Sequence, residues 1–316
     1  MSIMTITFNP AIDQTIVVDS LQVGAVHRAL SVHYNAGGKG IMVASCLADW
    51  GQSQIIASGL LGKDNAEIFC KALNDKHILN FFISIPGANR TNIKIVDQTE
   101  TTDLNLPGIE GSEKLLGQVI QEVKEKHEML ILSGSLASGM ADNSYQTMIN
   151  AAPESCKVIL DASGNALIEA LKGPRMPYCV KPNELELSQW AGRSLDSTTE
   201  ILAEAKKLLA LGVQLVVISM GGDGAYFLSN AGIIRAFLQA PEVKTTVGAG
   251  DAMVAGIAAA LAEAGDLTRI ARLGTAFAVG TLGFIGPHLP SKDKVEALAQ
   301  AVEIKVIESN VSEEIS

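Results

Sequence analysis

Short runs of apolar residues alternate along the chain with longer segments in which apolar residues recur at helical spacing. The short runs predict strands over residues 4–8, 54–59, 129–133, 157–161, 178–181 and 215–219. The longer segments predict helices over residues 64–76, 112–126, 183–190 and 198–211, with Ser112 and Thr198 as N-caps. This alternation is typical of a parallel sheet covered by helices, so the pattern predicts an α/β fold with a mostly parallel sheet.

Two stretches, about 12–34 and 78–106, interrupt this alternation. Apolar residues such as Ile16, Ile93 and Ile95 alternate there with polar ones, which predicts extra strands rather than crossover helices. Because no linker separates these stretches from the rest, we expect a small sheet, a lid, that leaves the main domain and covers its open edge. The prediction is therefore one domain over residues 1–316 with the lid strands inserted in it.

The composition is that of a folded globular protein. Of the 316 residues, 47% are hydrophobic and 18% are charged, which excludes disordered, collagen-like and coiled-coil chains. Lys and Arg number 24 against 34 Asp and Glu, and this net charge of −10 argues against a nucleic acid or an anionic membrane as the main partner. An anionic small substrate would need a local basic pocket.

The N-terminus lacks the charged and apolar regions of a signal peptide. The densest apolar stretch, residues 252–262, is shorter than the roughly 20 residues that a membrane helix needs. The cysteines at 46, 70, 156 and 179 form no CxxC pair, and we interpret them as reduced structural thiols. Together these features predict a cytoplasmic protein.

The strongest local motif is Thr-Thr-Val-Gly-Ala-Gly-Asp at residues 245–251, which a helix of small residues follows. Glycines that open a helix favour an anion site, because the free amides of the first turn and the positive end of the helix dipole can face a phosphate. In such a site, Asp251 is well placed to accept the proton of an attacking hydroxyl. The alternative is structural: the glycines form a turn and Asp251 complements the helix dipole.

A second glycine motif, Asn-Ala-Gly-Gly-Lys-Gly at residues 35–40, also opens a predicted helix. It is not a Walker A loop, because Gly40 stands where Ser or Thr should follow the lysine. The motif predicts a second anion site at a helix entry. A glycine hinge between the lid and the main domain explains the same residues equally well.

Lys181, Asn183 and Glu186 follow a predicted strand at the carboxyl side of the sheet, where ligands of α/β proteins usually bind. Asn183 and Glu186 share a helix face, and an amide and a carboxylate there suit Mg²⁺ held mostly through water. The alternative is an N-cap and its capping box. Residues 219–224, Ser-Met-Gly-Gly-Asp-Gly, end a later strand and either cradle nucleotide phosphates or turn a hairpin.

Two further charged residues lie beside predicted strands: Asp13 follows the first strand and Arg90 precedes a lid strand. A carboxylate there can hold sugar hydroxyls, and an arginine can hold a phosphate with two hydrogen bonds. Each residue alone is also typical of a solvated surface charge. The sequence has no HExxH, GxSxG or GxGxxG motif, which argues against a metalloprotease, a serine hydrolase and a dinucleotide-binding protein.

These motifs, in this order, resemble those of the phosphofructokinase B-type sugar kinases of the ribokinase-like superfamily, and the resemblance spans nearly the whole chain. The matching segments are residues 8–13, 36–40, 90–92, 133–136, 181–183 together with Glu186, and 247–251. Within the family, Asn-Pro-Ala-Ile-Asp at 9–13, Gly-Gly-Lys-Gly at 37–40 and Val-Gly-Ala-Gly-Asp at 247–251 are most similar to 1-phosphofructokinases and tagatose-6-phosphate kinases.

The resemblance implies a ribokinase-like, three-layer α/β/α domain with a β-sheet lid, which transfers the γ-phosphate of ATP, with Mg²⁺, to a phosphorylated ketohexose. Fructose 1-phosphate, giving fructose 1,6-bisphosphate, is the expected acceptor, and tagatose 6-phosphate is the alternative. The resemblance leaves a monovalent cation open as a further ligand. The sequence leaves the oligomeric state open, and a lid with one exposed sheet face is compatible with a homodimer.

The same resemblance implies roles for individual residues. Asp251 is the expected base, with Gly248 in its loop and the amides of Ala249, Gly250 and Asp251 in the anion hole. The residues expected to bind the sugar phosphate are Asp13, Gly37, Gly38, Lys39, Arg90, Ser133 and Ser135. The residues expected to bind ATP are Lys181, Asn183, Ser219, Gly221 and Gly224. Glu186 is expected to hold Mg²⁺ through water.

One departure from the family concerns Met42, which stands where the family usually has an asparagine that contacts sugar hydroxyls. A thioether cannot replace those hydrogen bonds, so the identity of the acceptor is open. A related kinase of another sugar or nucleoside would act on an unphosphorylated acceptor. A non-catalytic sugar-phosphate sensor would lose the base, whereas this chain keeps Asp251.

Overall fold

The computed structural model describes residues 1–124, 127–284, 286 and 288–309. In chain order, the strands are β1 Ile3–Thr7, β2 Ala11–Val17, β3 Ser31–Gly37, β4 Ile55–Gly62, β5 Leu79–Ile85, β6 Arg90–Val96, β7 Thr101–Asn105, β8 Met129–Ser133, β9 Lys157–Asp161, β10 Cys179–Val180, β11 Leu215–Ser219, β12 Ala225–Ser229, β13 Gly232–Phe237 and β14 Glu303–Ser309. The helices are α1 Lys39–Trp50, α2 Glu67–Asp75, α3 Glu113–Val123, α4 Ser144–Ala151, α5 Gly164–Ala170, α6 Glu184–Ala191, α7 Thr198–Ala210, α8 Ala249–Ala262, α9 Leu267–Thr281 and α10 Lys292–Ala301.

The larger sheet has ten strands in the order β14-β13-β12-β11-β10-β9-β8-β1-β4-β5. In this sheet order, the strands β11, β10, β9, β8, β1, β4 and β5 run parallel to one another. Strands β12, β13 and β14 add an antiparallel edge. The predicted α/β class and mostly parallel sheet are confirmed, and all six strands of the sequence pattern lie in this sheet. The antiparallel edge was not predicted.

Helices cover both faces of this sheet, so side chains along each strand alternate between two hydrophobic cores. In β8, Met129 and Ile131 belong to the core that includes α1, α8 and α9, whereas Leu130 and Leu132 belong to the core on the opposite face. Strands buried on both faces have apolar residues at successive positions, which explains the continuous runs in the sequence. The expected three-layer α/β/α arrangement is confirmed.

Small residues make α8 a central, almost wholly buried helix. A Cβ on Gly256 would lie 2.5 Å from the carbonyl oxygen of Leu273, so α8 and α9 pack closely only because glycine stands there. Small residues in this helix therefore serve packing along its length, besides any ligand at its first turn.

Side-chain caps start two of the predicted helices. Ser112 caps α3 and accepts a hydrogen bond from the amide of Leu115, as predicted. The cap of α7 is Ser197 and not Thr198, which is already the first residue of the helix. The predicted helix over 112–126 ends at Val123 in the structure, and its last two residues lie outside the described part of the chain.

The smaller sheet has four strands in the order β3-β2-β6-β7. It draws β2 and β3 from the first predicted lid stretch and β6 and β7 from the second. The first strand of the second stretch corrects that expectation, because β5 pairs in parallel with β4 in the larger sheet. The register of the small sheet puts Asp13, Asn35 and Asn92 on one face, and Ile16, Val32 and Ile95 on the other.

Within the described residues, none of the helices combines the length and the apolar composition that a bilayer crossing requires. The cysteines are all free thiols, as predicted. Cys46, Cys156 and Cys179 are buried, whereas Cys70 is exposed.

Candidate active site

The loop before α8 turns at Gly248, whose φ of 85° lies in the left-handed region that favours glycine. The amide of Ala249 donates to the carbonyl of Thr246 at 3.4 Å. The amides of Gly250 and Asp251 have no acceptor among the described residues, because the helix leaves its first amides unpaired. These two amides and the helix dipole can therefore face an anion.

Asp251 lies in the first turn of α8 and is only 6% exposed. Burial raises the pKa of its carboxyl to about 7. Lys39 and Lys181 oppose this shift, and the charges of Asp161 and Asp13 add to it. A carboxylate whose pKa lies near neutrality can accept a proton efficiently at physiological pH.

Two lysines hold Asp161 at the end of β9. The ammonium nitrogen of Lys181 lies 3.1 Å from Oδ1 of Asp161, and that of Lys39 lies 3.3 Å from Oδ2. Burial favours the neutral acid, but the two ammonium groups outweigh burial and lower the pKa of Asp161. The charge of Asp161 in turn raises the pKa of Lys39.

Lys181 also borders the anion site, because its ammonium nitrogen lies 3.5 Å from the position that a Cβ on Gly250 would occupy. Lys39, at the start of α1, packs its stem beside Gly134 on the other side of Asp161. Asp161 thus joins a cation beside the first turn of α8 to a cation at the second glycine motif. The sequence analysis missed Asp161, although it ends a correctly predicted strand at the same edge of the sheet.

The polar face of the small sheet carries Asp13 and Arg90. Asp13 accepts a hydrogen bond from Nδ2 of Asn92 at 2.9 Å. Burial raises the pKa of Asp13, although this hydrogen bond and the charges of Arg90 and Lys94 act against the shift. Burial lowers the pKa of Arg90, and its Nε has no hydrogen-bond partner within the described residues.

Gly37 lets the Asp13 carboxylate approach the backbone where the second glycine motif enters α1. A Cβ on Gly37 would lie 2.1 Å from Oδ2 of Asp13, so a larger residue would displace the Asp13 carboxylate. Gly38 follows as the N-cap of α1 and has φ of 112°. The predicted motif therefore brings the small sheet, through Asp13, against the start of the helix that carries Lys39.

The turn after β8 contains the two serines that the resemblance assigned to the acceptor. Ser133 is fully buried, and its hydroxyl has no partner among the described residues. Ser135 is exposed and accepts a hydrogen bond from Nδ2 of Asn9 at 3.1 Å. Between them, the amide of Gly134 donates to the carbonyl of Asp161 at 3.0 Å, so the turn is tied to β9.

Asn183 and Glu186 form a capping box at the start of α6, the structural alternative that the sequence left open. The amide of Glu186 donates to Oδ1 of Asn183 at 2.8 Å, and the amide of Asn183 donates to Oε2 of Glu186 at 2.9 Å. Glu186 is buried, and its charge contributes to the raised pKa of Lys39, so it faces the lysine cluster. Its second carboxylate oxygen has no hydrogen-bond partner in the described part of the chain.

The glycine-rich residues 219–224 turn from β11 into the antiparallel strand β12, which is the hairpin that the sequence offered as an alternative. Ser219 pairs with Asn183 in an isolated parallel bridge, and this places the turn beside the start of α6. Gly221 and Gly224 both have positive φ. A hairpin here is compatible with ligand binding. Its backbone lies at the same edge of the sheet as Lys181, so a ligand beside Lys181 can reach it.

Met42 is buried in α1, and its methyl group lies against the anion-site loop. A Cβ on Gly248 would lie 2.1 Å from Cε of Met42. The residue that departs from the family pattern therefore packs on the glycine that opens α8. Its thioether offers no strong hydrogen-bonding group there.

Charged residues from separate parts of the chain thus meet around one buried acid. The pKa of Asp251 is affected by the charges of Lys39 in α1, Lys181 just after β10, Asp161 in β9 and Asp13 in β2. Within the described residues, no group of three or more His, Cys, Asp and Glu side chains is arranged to hold a metal ion. The arrangement combines a proton acceptor, two free amides and flanking cations, which suits transfer of an anionic group to a hydroxyl.

Comparison with known proteins agrees with this chemistry. The family described as pfkB family carbohydrate kinase matches residues 6–293. The chain is 46% identical to a 1-phosphofructokinase of Xanthomonas campestris over 87% of this chain and 89% of that protein. It is 40% identical to a 1-phosphofructokinase of Rhodobacter capsulatus, over 97% of this chain and 98% of that one. The crystal structure of phosphofructokinase-2 from Escherichia coli in complex with potassium is 27% identical, with a TM-score of 0.88 over 95% of this chain and 98% of that chain.

Proposed function

This chain belongs to the pfkB family of carbohydrate kinases, and we propose that it transfers the γ-phosphate of ATP to fructose 1-phosphate, giving fructose 1,6-bisphosphate. The observation that carries the proposal is the buried Asp251 at the start of α8, with Lys39 and Lys181 on either side of Asp161 nearby. Two relatives with the name 1-phosphofructokinase, matched over most of both chains, support the choice of acceptor.

In this reaction Asp251 is the general base. Fructose 1-phosphate keeps one free primary hydroxyl, at C6, and that oxygen attacks the γ-phosphorus while its proton passes to the Asp251 carboxylate. The bond from the γ-phosphorus to the bridging oxygen breaks, and ADP leaves. The amides of Gly250 and Asp251, with Lys181 beside them, stabilise the negative charge of the transferred group.

The acceptor binds between the small sheet and the start of α1 in this proposal. Asp13 receives sugar hydroxyls, and the close approach of the chain at Gly37 and Gly38 leads to Lys39. Arg90 holds the existing phosphate, because its Nε is buried without a partner and a guanidinium suits a phosphate. The turn with Ser133 and Ser135 completes the phosphate site.

The nucleotide binds along the opposite side of the same edge in this proposal. Lys181 faces the transferred phosphate, and the backbone beside Asn183, Ser219, Gly221 and Gly224 supports the remainder of the nucleotide. Small residues and a glycine-rich turn suit close approach of a ligand to the backbone.

Mg²⁺ fits this site only in a restricted way. Oδ1 of Asn183 and Oε2 of Glu186 are engaged in the capping box, so one carboxylate oxygen of Glu186 remains for the ion. We therefore assign Glu186 to Mg²⁺ through water, which matches the preference of this ion for keeping its hydration. When bound, the ion neutralises charge on the nucleotide phosphates.

We include a monovalent cation as a further ligand of the proposed enzyme. The support is the crystal structure of a relative, phosphofructokinase-2 from E. coli, in complex with potassium.

We also propose that the chain forms a homodimer through the outer face of the small sheet. Val32, Tyr34 and Leu104 lie on that face and are 39%, 58% and 50% exposed. In the adjoining loop, Val23 and Val26 are almost fully exposed. Exposed apolar residues that recur across one face of a sheet are typical of a protein interface.

An assay of ADP release from MgATP tests the proposed reaction, with fructose 1-phosphate, tagatose 6-phosphate, fructose 6-phosphate, free sugars and nucleosides in parallel. We expect the highest kcat/KM with fructose 1-phosphate, and product analysis should give the 1,6-bisphosphate. Higher kcat/KM with tagatose 6-phosphate or an unphosphorylated acceptor would overturn the substrate assignment. These acceptors are included because Met42 replaces the asparagine that usually contacts sugar hydroxyls in the family. The same assay in potassium chloride, sodium chloride and choline chloride measures whether kcat/KM depends on the monovalent cation.

A further inference from the structure

Asn92 occupies a specific place on the polar face of β6. It lies opposite Asp13 in the register between β2 and β6, and its Nδ2 donates to Oδ1 of Asp13 at 2.9 Å. An ionised carboxylate accepts hydrogen bonds and donates none, so the amide must present its NH₂ group to Asp13.

This orientation leaves Oδ1 of Asn92 buried and without a hydrogen-bond partner in the described part of the chain. Buried acceptors without partners destabilise a folded protein, and most side chains avoid them. An amide at this position therefore has a cost to the stability of the small sheet, which its hydrogen bond to Asp13 has to offset. Among the described residues, the side chain of Asn92 makes one hydrogen bond at this position, the one that it donates to Asp13.

The second oxygen of the same carboxylate lies against another element. Gly37, in β3, leaves room for Oδ2 of Asp13, because a Cβ there would be only 2.1 Å away. The hydrogen bond from Asn92 therefore orients the carboxylate, and Gly37 provides the space for that orientation. The charged groups that face it are Arg90 and Lys94 from β6 and Asp251 from α8.

We propose that Asn92 is a positioning residue for the acceptor, which orients the Asp13 carboxylate toward the sugar hydroxyls and stabilises its charged form. This inference rests on the proposed function, because it takes Asp13 as a contact of the sugar phosphate. Asn92 acts through Asp13 and the reaction itself does not involve it. Its loss should therefore affect acceptor binding more than phosphoryl transfer.

The test compares Asn92→Ala and the nearly isosteric Asn92→Asp with the wild type. We expect KM for fructose 1-phosphate to rise about tenfold or more, since the lost hydrogen bond is to a charged group. The KM for ATP and kcat at saturating sugar phosphate should change by less than about threefold. Asn92→Asp should be the more severe variant at pH 8, because it puts a second carboxylate against Asp13.

A pH profile separates positioning from a merely structural role. Without the donor, the Asp13 carboxyl should hold its proton to higher pH, so the acidic limb of kcat/KM for the sugar phosphate should move to higher pH. The limb of kcat at saturating sugar phosphate follows Asp251 and should stay. Thr91→Ala is the matched control, because Thr91 adjoins Asn92 on the same strand and faces the opposite side of the sheet.

The outcomes distinguish this inference from the proposed function. Wild-type turnover with an unchanged KM for the acceptor in both Asn92 variants would overturn the role of Asn92 alone. A lower Tm with unchanged kinetics would assign Asn92 to structure. Absence of wild-type turnover on every ketohexose phosphate would overturn the proposed function and this inference with it.

Discussion

At the scale of single residues, Asp251 decides whether the site is catalytic. Its carboxyl combines burial, a pKa near neutrality and a position beside two free helix amides. A residue that only complemented a helix dipole would be expected to have a lowered pKa, since the dipole favours the charged form. The structure therefore favours the proton-acceptor interpretation of the motif over the structural one.

Replacement of this acid should affect the chemical step. Asp251→Asn keeps the size of the side chain and removes the proton acceptor, so kcat should fall by about 10²–10⁴. Binding of ATP and sugar phosphate, measured by calorimetry, should persist. A variant that turns over at the wild-type rate would contradict the role of Asp251 as base.

The same substitution should have an opposite effect on stability. Because the pKa of Asp251 is raised to about 7, the folded protein binds a proton between about pH 4 and pH 7 that the unfolded chain has released. This group's contribution to the free energy of unfolding therefore falls as pH rises through that window. Asp251→Asn should raise Tm by roughly 2–4 °C at pH 8 and by less at pH 5, as measured by calorimetry.

Sequence reasoning overlooked Asp161 and assigned no role to Asn92, and both residues make long-range contacts. Asp161 ends a correctly predicted strand, but its partner Lys39 lies 122 residues away in the chain. Neither spacing nor periodicity encodes that pairing. The segment 90–92 was singled out as a motif, yet only the strand register places Asn92 opposite Asp13.

At the scale of secondary structure, strand β6 aligns the proposed phosphate contact with the proposed sugar contact. Arg90 and Asn92 lie two positions apart, so both side chains emerge on the face that carries Asp13. A strand holds such groups more rigidly than a loop, because its register is fixed by neighbours on both sides. The acceptor site therefore depends on the pairing of β2 with β6.

Arg90→Ala tests this element. If Arg90 holds the existing phosphate, KM for fructose 1-phosphate should rise by about 10–100-fold and KM for ATP should stay nearly constant. Lys305→Ala is the control, because Lys305 is an exposed cation on β14, at the far edge of the large sheet. A larger rise in KM for ATP than for the sugar phosphate would contradict the assignment.

The period of the hydrophobic pattern predicted most strands of the large sheet, but it placed the residues of β5 in the lid. The residues of β5 alternate like those of a lid strand, since Leu79 and Phe81 are partly exposed at the sheet edge. An edge strand of the main sheet and a strand of a small sheet bury a similar fraction of their side chains. The parallel register with β4, which only the fold supplies, distinguishes them.

At the scale of the whole molecule, charge is distributed unevenly. The chain has a net charge of −10, which opposes the approach of phosphates. Lys39, Lys181 and Arg90 nevertheless lie at the proposed site, among the acids Asp13, Asp161, Asp251 and Glu186, and provide cations for the phosphates. Specificity for phosphorylated ligands therefore depends on this cluster and not on the overall field.

The small sheet connects this site to the surface, because one face carries Asp13 and Arg90 and the other carries Val32 and Tyr34. If two chains pack through the apolar face, association should order the sheet and with it the acceptor site. We expect Val32→Asp to convert a dimer into a monomer in light scattering. Its KM for the sugar phosphate should also rise more than its KM for ATP.

Val306→Asp is the control for this substitution, since Val306 is 60% exposed on β14, at the far edge of the large sheet. It should change neither the mass of the particle nor either KM. A wild-type protein that is monomeric at micromolar concentration would contradict the proposed interface. A monomeric Val32→Asp variant with wild-type KM would instead mean that the polar face of the small sheet is held in place without a partner, by the contact of Asp13 with Gly37 and Asn92.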